Sequence, residues 1–121
     1  MIRGIRGATT VTTNTAEAIY KASADLFQEI VTANKLEPEA ISSVIVSVTS
    51  DIDAAFPAKP IRELAGFQFV PIMGVMEIPV PGALAMCIRL MVNAEVGDVA
   101  QQDVAHIYLE GATVLRPDLA K

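Results

Sequence analysis

From Ile41 to Thr49 the chain alternates: Val44, Val46 and Val48 fall on one side of an extended backbone, and Ile45, Ser47 and Thr49 on the other. Successive strand residues point to opposite faces, so this run predicts a strand, and a strand requires a sheet. Met86 to Val96 repeats the pattern, with Met86, Ile88, Leu90 and Val92 facing one way and Cys87, Arg89, Met91 and Asn93 the other. Residues 2 to 13 read as a first strand from Ile2, Ile5 and the run Thr9 to Thr13, with two glycines allowing close backbone approach. Phe67 to Met73 reads as a third strand in which Pro71 marks an edge or a bulge. His106 to Leu115, interrupted by Gly111, reads as the last strand.

Between the first two strands the period changes. Ile19, Ala22, Leu26, Phe27, Ile30 and Val31 recur at three- and four-residue spacing, which predicts a helix ending near Asn34. Asn14, followed three residues later by Glu17, has the form of its N-cap. Pro38 opens one short turn, and Phe56 to Gly66 suits a short helix with prolines at its entry and Gly66 as its stop. Pro79, Pro81 and Gly82 make a loop.

Composition narrows the class. The 121 residues suit a single domain, 1–121, with one core. Apolar residues make up 52% of the chain and mean hydropathy is +0.44, which leaves apolar surface on a small monomer and favours an oligomer. No apolar run approaches the ~18 residues of a membrane span, and Arg3, Gly4 and Arg6 replace the apolar stretch of a signal peptide. One cysteine, Cys87, permits no internal disulfide and fits a cytoplasmic location. An acidic chain with net charge -5, no tryptophan and no basic stripe is not expected to bind nucleic acid.

The arginines carry the candidate chemistry. Arg6, Arg62, Arg89 and Arg116, four of the five, lie in or beside apolar runs. A guanidinium does not shed its proton on burial, so each needs a carboxylate or a bound anion. Together they predict a pocket for a small polyanion. Taken singly, each has a plainer reading: Arg89 as a structural ion pair with Glu77 or Glu63, Glu77 as a solvated loop carboxylate, and Lys59 and Arg62 as solvated cations. His106 reads as a surface strand residue, Ser47 and Thr49 as packing, and Met73, Met76, Met86 and Met91 as core filler. One His and one Cys nineteen positions apart offer no metal cluster, His106 has no triad partners, and GIRGATT lacks the ending of a phosphate loop. No cofactor is expected, which leaves catalysis by binding, orientation and electrostatics.

MIRGIRGATTV at the start, FPAKPIREL in the middle, CIRLM later and HIYLEGATVLRPDL near the end resemble the monofunctional chorismate mutases of the Bacillus type, collinearly from Met1 to about Leu119. The resemblance implies an α+β fold: a mixed sheet of about five strands with helices on one face. It also implies a homotrimer forming a pseudo-α/β barrel, with active sites between subunits that turn chorismate into prephenate. Carried over by position, Arg6 holds a substrate carboxylate beside Tyr108, Arg89 reaches a carboxylate and the ether oxygen, and Glu77 accepts from the ring hydroxyl. Phe56, Ala58 and Lys59 come from the neighbouring subunit, while Arg62, Leu115 and Arg116 close the mouth of the cleft.

Four departures accompany the match. Met73 and Gly74 stand where relatives carry a threonine and a cysteine ahead of the glutamate, leaving a backbone N–H at Gly74. Phe67 replaces a tryptophan, one extra residue is expected near Gly97, and little sequence follows Arg116 to form a longer tail. Two other readings share an anion-binding cleft. One is an enamine/imine deaminase on a related trimeric scaffold, against which the collinear motifs argue; the other is a non-catalytic module that binds an aromatic-pathway anion.

Overall fold

The computed structural model describes residues 1–118, so the last three residues of the expected 1–121 span, Leu119 included, lie outside the described part. Five strands form one mixed sheet: β1 (Ile2–Thr10), β2 (Ile41–Val48), β3 (Ile72–Met76), β4 (Cys87–Glu95) and β5 (Ile107–Tyr108). Their order is β3-β2-β4-β1-β5. The three central strands pair antiparallel through β4, while β3 joins β2 and β5 joins β1 in parallel.

The valine alternation of β2 sorts as expected. Val44 and Val46 are each 1% exposed, whereas Ile45 on the other side is 42% exposed. Ile5, Ile88, Leu90 and Val92 share the buried side and join one core with residues of α1 (Ala16–Asn34) and α2 (Ala58–Arg62). The approach of α1 is tight: a Cβ on Gly7 would sit 2.5 Å from the end of the Ile30 side chain, so any larger residue there would force Ile30 to move. Both helices thus pack on one face of the sheet, and the other is left uncovered.

Several boundaries differ from the sequence reading, each for a local reason. β1 ends at Thr10, three residues early. The cap of α1 is Thr15, whose Oγ1 accepts from the Ala18 N–H at 3.2 Å. Asn14 instead grips the loop after β2, donating to Asp53 Oδ1 at 2.7 Å and accepting from the N–H groups of Asp53 and Ala54. α2 is only five residues long, Phe56 and Gly66 lying outside it.

β3 begins at Ile72, five residues later than expected, because Phe67 and Val70 close successive hydrogen-bonded turns. Pro71 then enters the edge through its carbonyl, which accepts from the Val44 N–H at 2.8 Å. β5 is two residues long; Glu110 turns to φ 52° and Glu110–Val114 coils into a 3-10 helix, pinned by Gly111 N–H donating to Thr10 Oγ1. Met73 and Met76 are 66% and 68% exposed, so they are not core filler. Gly97 makes the turn after β4 at φ +70°, a conformation that favours glycine. Among the described residues no helix is long and apolar enough to cross a membrane.

Candidate active site

The uncovered face of the sheet carries the charges. Strand pairing places Arg89 between Ala8 of β1 and Ser47 of β2, and Arg6 next to Met91. Tyr108 of β5 lies beside Ala8, and Glu77 leaves β3 with its N–H donating to the Val48 carbonyl at 2.9 Å. Arg6, Ser47, Glu77, Arg89 and Tyr108 line one cavity of about 220 Å³. Residues far apart in sequence meet here because β4 and β2 bring Arg89 and Ser47 to the end of β3.

Arg89 is fixed by a two-point bond: its Nε donates to Glu77 Oε2 and its Nη2 to Glu77 Oε1, both at 2.9 Å. Such fork-to-carboxylate pairing locks orientation as well as charge. Ser47 Oγ also donates to Glu77 Oε2, so the residue read as packing belongs to the site. The Arg89 bond, opposed by desolvation and helped by Ser47, holds the Glu77 carboxyl below its ordinary range; the same bond raises Arg89. Glu77 is therefore no solvated loop acid, its side chain being only 19% exposed. Arg89 Nη1 has no hydrogen-bond partner among the described residues.

Arg6 differs. It is half-buried, and among the described residues no carboxylate lies within ion-pair distance of it. Its backbone N–H donates to His106 Nδ1 at 2.9 Å, and its Nη2 lies 3.4 Å from His106 Nε2. His106 is thus half-buried against a site arginine and precedes β5, whereas the sequence reading has it on a strand surface. Only the fold could reveal this, because Arg6 and His106 are 100 positions apart.

Tyr108 is buried with Ala8 and Ala112, and Leu115 packs against this small cluster. Arg116 is held by Asp118 through Nε at 3.1 Å and Nη2 at 2.9 Å. The remaining expected residues lie elsewhere on the molecule. Phe56 is 81% exposed and, with Gly74, lines a separate hollow. Ala58, Lys59 and Arg62 sit on α2, Lys59 pairing with Glu63 at 3.5 Å and lying over the Tyr20 ring. Met73 is paired in register with Ile45, at the margin of the charged cavity.

The cavity presents donors without a reactive nucleophile. Cys87 is buried two residues before Arg89, and desolvation pushes its thiol up to about 11, where it is inert at neutral pH. Among the described residues no group of three or more His, Cys, Asp or Glu side chains converges. What the arrangement offers is two guanidiniums and a phenol around a space for an anion.

Comparison with known proteins defines the family. Residues 2–119 match the family model of type I chorismate mutases, and the chain belongs to that family. It is 46% identical to chorismate mutase AroH of Bacillus subtilis (strain 168), over 99% of this chain and 94% of that one. It is 42% identical to chorismate mutase AroH of Thermus thermophilus, over 98% and 97%. Among solved structures, a chorismate mutase from Clostridium thermocellum superposes with a TM-score of 0.87 at 44% identity, covering 92% of this chain and 97% of that one.

Proposed function

We infer that this protein is a chorismate mutase, an isomerase converting chorismate to prephenate on the route to phenylalanine and tyrosine. The observation that carries the reading is the fixed Arg89–Glu77 pair sharing a cavity with an Arg6 that has no carboxylate of its own. Full-length kinship with chorismate mutases supports it.

The reaction is an intramolecular pericyclic exchange: one carbon–oxygen bond breaks while a carbon–carbon bond forms. It needs no acid, base, nucleophile or cofactor. A compact substrate conformer, held by its two carboxylates, is already close to the reacting geometry, and holding it reduces the entropic part of the barrier. Arg6 takes one carboxylate, with Tyr108 beside it. Negative charge grows on the ether oxygen as its bond lengthens, and Arg89 stabilises that charge. A preorganised donor of this kind is worth about 3 kcal/mol of barrier. Glu77 orients Arg89, accepts from the ring hydroxyl and balances the cations.

The uncovered sheet face supports a trimer. Ile45, Met73 and Val75 are 42%, 66% and 42% exposed on it, a continuous apolar surface that a partner subunit would bury. In that assembly Phe56, Ala58 and Lys59 reach the cavity from the neighbour. Met73 and the Gly74 N–H border the substrate ring, and Arg62, Leu115 and Arg116 close the mouth. The whole chain then acts as one domain, and its buried lone cysteine suits a reducing cytoplasm.

The test is direct. Purified protein is added to chorismate, loss of the ring-diene absorbance is followed, and prephenate is identified as product. Saturable conversion is the expected result. Tight binding of a bicyclic diacid mimic by folded protein, without turnover, would instead assign the non-catalytic module.

A further inference from the structure

We propose that His106 is a substrate-binding residue: its Nε2–H and Arg6 Nη2 form a two-donor seat for a single carboxylate of the substrate. The inference rests on the chorismate mutase reading and adds a residue to it.

The tautomer follows from geometry. Nδ1 lies 2.9 Å from the Arg6 backbone nitrogen, whose hydrogen can only be donated, so Nδ1 must be the accepting nitrogen. A neutral imidazole carries its one proton on the other nitrogen. Nε2–H therefore stands 3.4 Å from Arg6 Nη2, and that contact joins two donors. The reverse tautomer would satisfy the longer contact and turn N–H against N–H at the shorter one. Two adjacent donors with no acceptor between them are relieved by one shared anionic oxygen, and Arg6 has no carboxylate partner among the described residues.

The ring is held for this task from both sides. Asn34, at the end of α1, donates to the Ala105 carbonyl and accepts from the Ala105 N–H, each at 2.9 Å, which fixes the residue just before His106. Beyond it, Ile107 and Tyr108 pair with Gly7 and Ala8. Burial first, then the charges of Arg6 and Arg116, lower the imidazole below its ordinary range, so the neutral donor-acceptor form persists at pH 7. The two ring nitrogens thus divide the work: Nδ1 caps a backbone N–H at the start of the β1/β5 ladder, and Nε2, beside Arg6 Nη2 though not itself lining the charged cavity, is left to donate to the anion that Arg6 holds.

That division gives the experiment. Asparagine places a polar atom near the position of Nδ1, and glutamine near that of Nε2. Steady-state kinetics with chorismate and thermal melts are measured for the parent, His106→Asn, His106→Gln and His106→Ala. KM should rise about tenfold in the Asn and Ala variants, with kcat within about twofold of the parent, and stay near the parent value in the Gln variant. The melting temperature should follow the opposite order, Asn near the parent and Gln near Ala. If KM instead tracks the melting temperature, or stays at the parent value in all three, His106 is only a backbone cap and the inference fails. Failure of the parent itself to turn over chorismate would overturn the functional reading, a separate result.

Discussion

The two faces of the sheet are made from the same strands and obey different rules. On the helix-covered face most central positions are apolar, Thr9 being a buried polar exception, and Ile5, Ile88 and Val92 are fully buried. On the open face, one residue further along each strand, Arg6, Ser47 and Arg89 stand among Ile45 and Met91. The first face is filled mainly by volume. The second mixes charge with exposed apolar surface, the combination that the proposed ligand site and subunit interface call for. Period-two alternation therefore separates stability from function within a single strand.

Substitutions on each face test that separation. The largest effect belongs to the covered face. Phe27→Ala should destabilise by about 3–5 kcal/mol, because a fully buried ring in edge-on contact with Phe67 at 5.2 Å leaves a cavity. Denaturant unfolding measures this, and residual activity per folded molecule should match the parent. On the open face Arg89→Lys should invert the outcome, with kcat down about 10²- to 10³-fold and an unchanged melting temperature, since an ammonium cannot reproduce the fork that Glu77 holds. A lowered melting temperature with intact chemistry would make Arg89 a structural ion pair.

Val75→Asp probes the apolar part of the same face. It should shift sedimentation from a trimer to a 12.9 kDa protomer that remains folded. The smallest expected effect is in pH. His106 is held below its unfolded value of 6.5, by burial and then by Arg6 on β1 and Arg116 after the last 3-10 turn. The unfolded chain therefore binds the proton first as pH falls. Stability present above pH 6.5 should decline below it, and His106→Asn should flatten the slope. The Glu77 and Asp51 carboxyls, both lowered by hydrogen bonds, act only below their unfolded values of 4.5 and 3.8, in a separate window.

Much of this contrast is legible in the chain before folding. The valines of β2 and the three-four spacing of α1 report their faces directly, because one partner surface decides each. β3 and β5 misled for the opposite reason. Phe67 to Val70 and Glu110 to Val114 have strand-like composition, yet local turns use their backbone groups, and Gly66 and Glu110 at positive φ mark the departures. In the site, Arg89 and Glu77 stood out as charges among apolar neighbours. Ser47 and His106 did not, since an isolated serine or histidine on a strand has no local signature. Their roles depend on the order β3-β2-β4-β1-β5, which no short window of sequence contains.

Both outer strands of the sheet are short, and each closes quickly to a neighbour. β3 is entered through Pro71, which has no N–H to offer, and β5 lasts two residues before the chain coils away. In the proposed trimer, a protomer set free by dilution is sticky across its open face, while the β5 margin offers only two residues to a pairing strand. At that margin lateral strand addition, the step that grows fibrils, has little ladder to extend. Overexpressed or dissociated material should collect as amorphous, face-to-face clumps that redissolve into assembled protein, with weak binding of cross-β dyes.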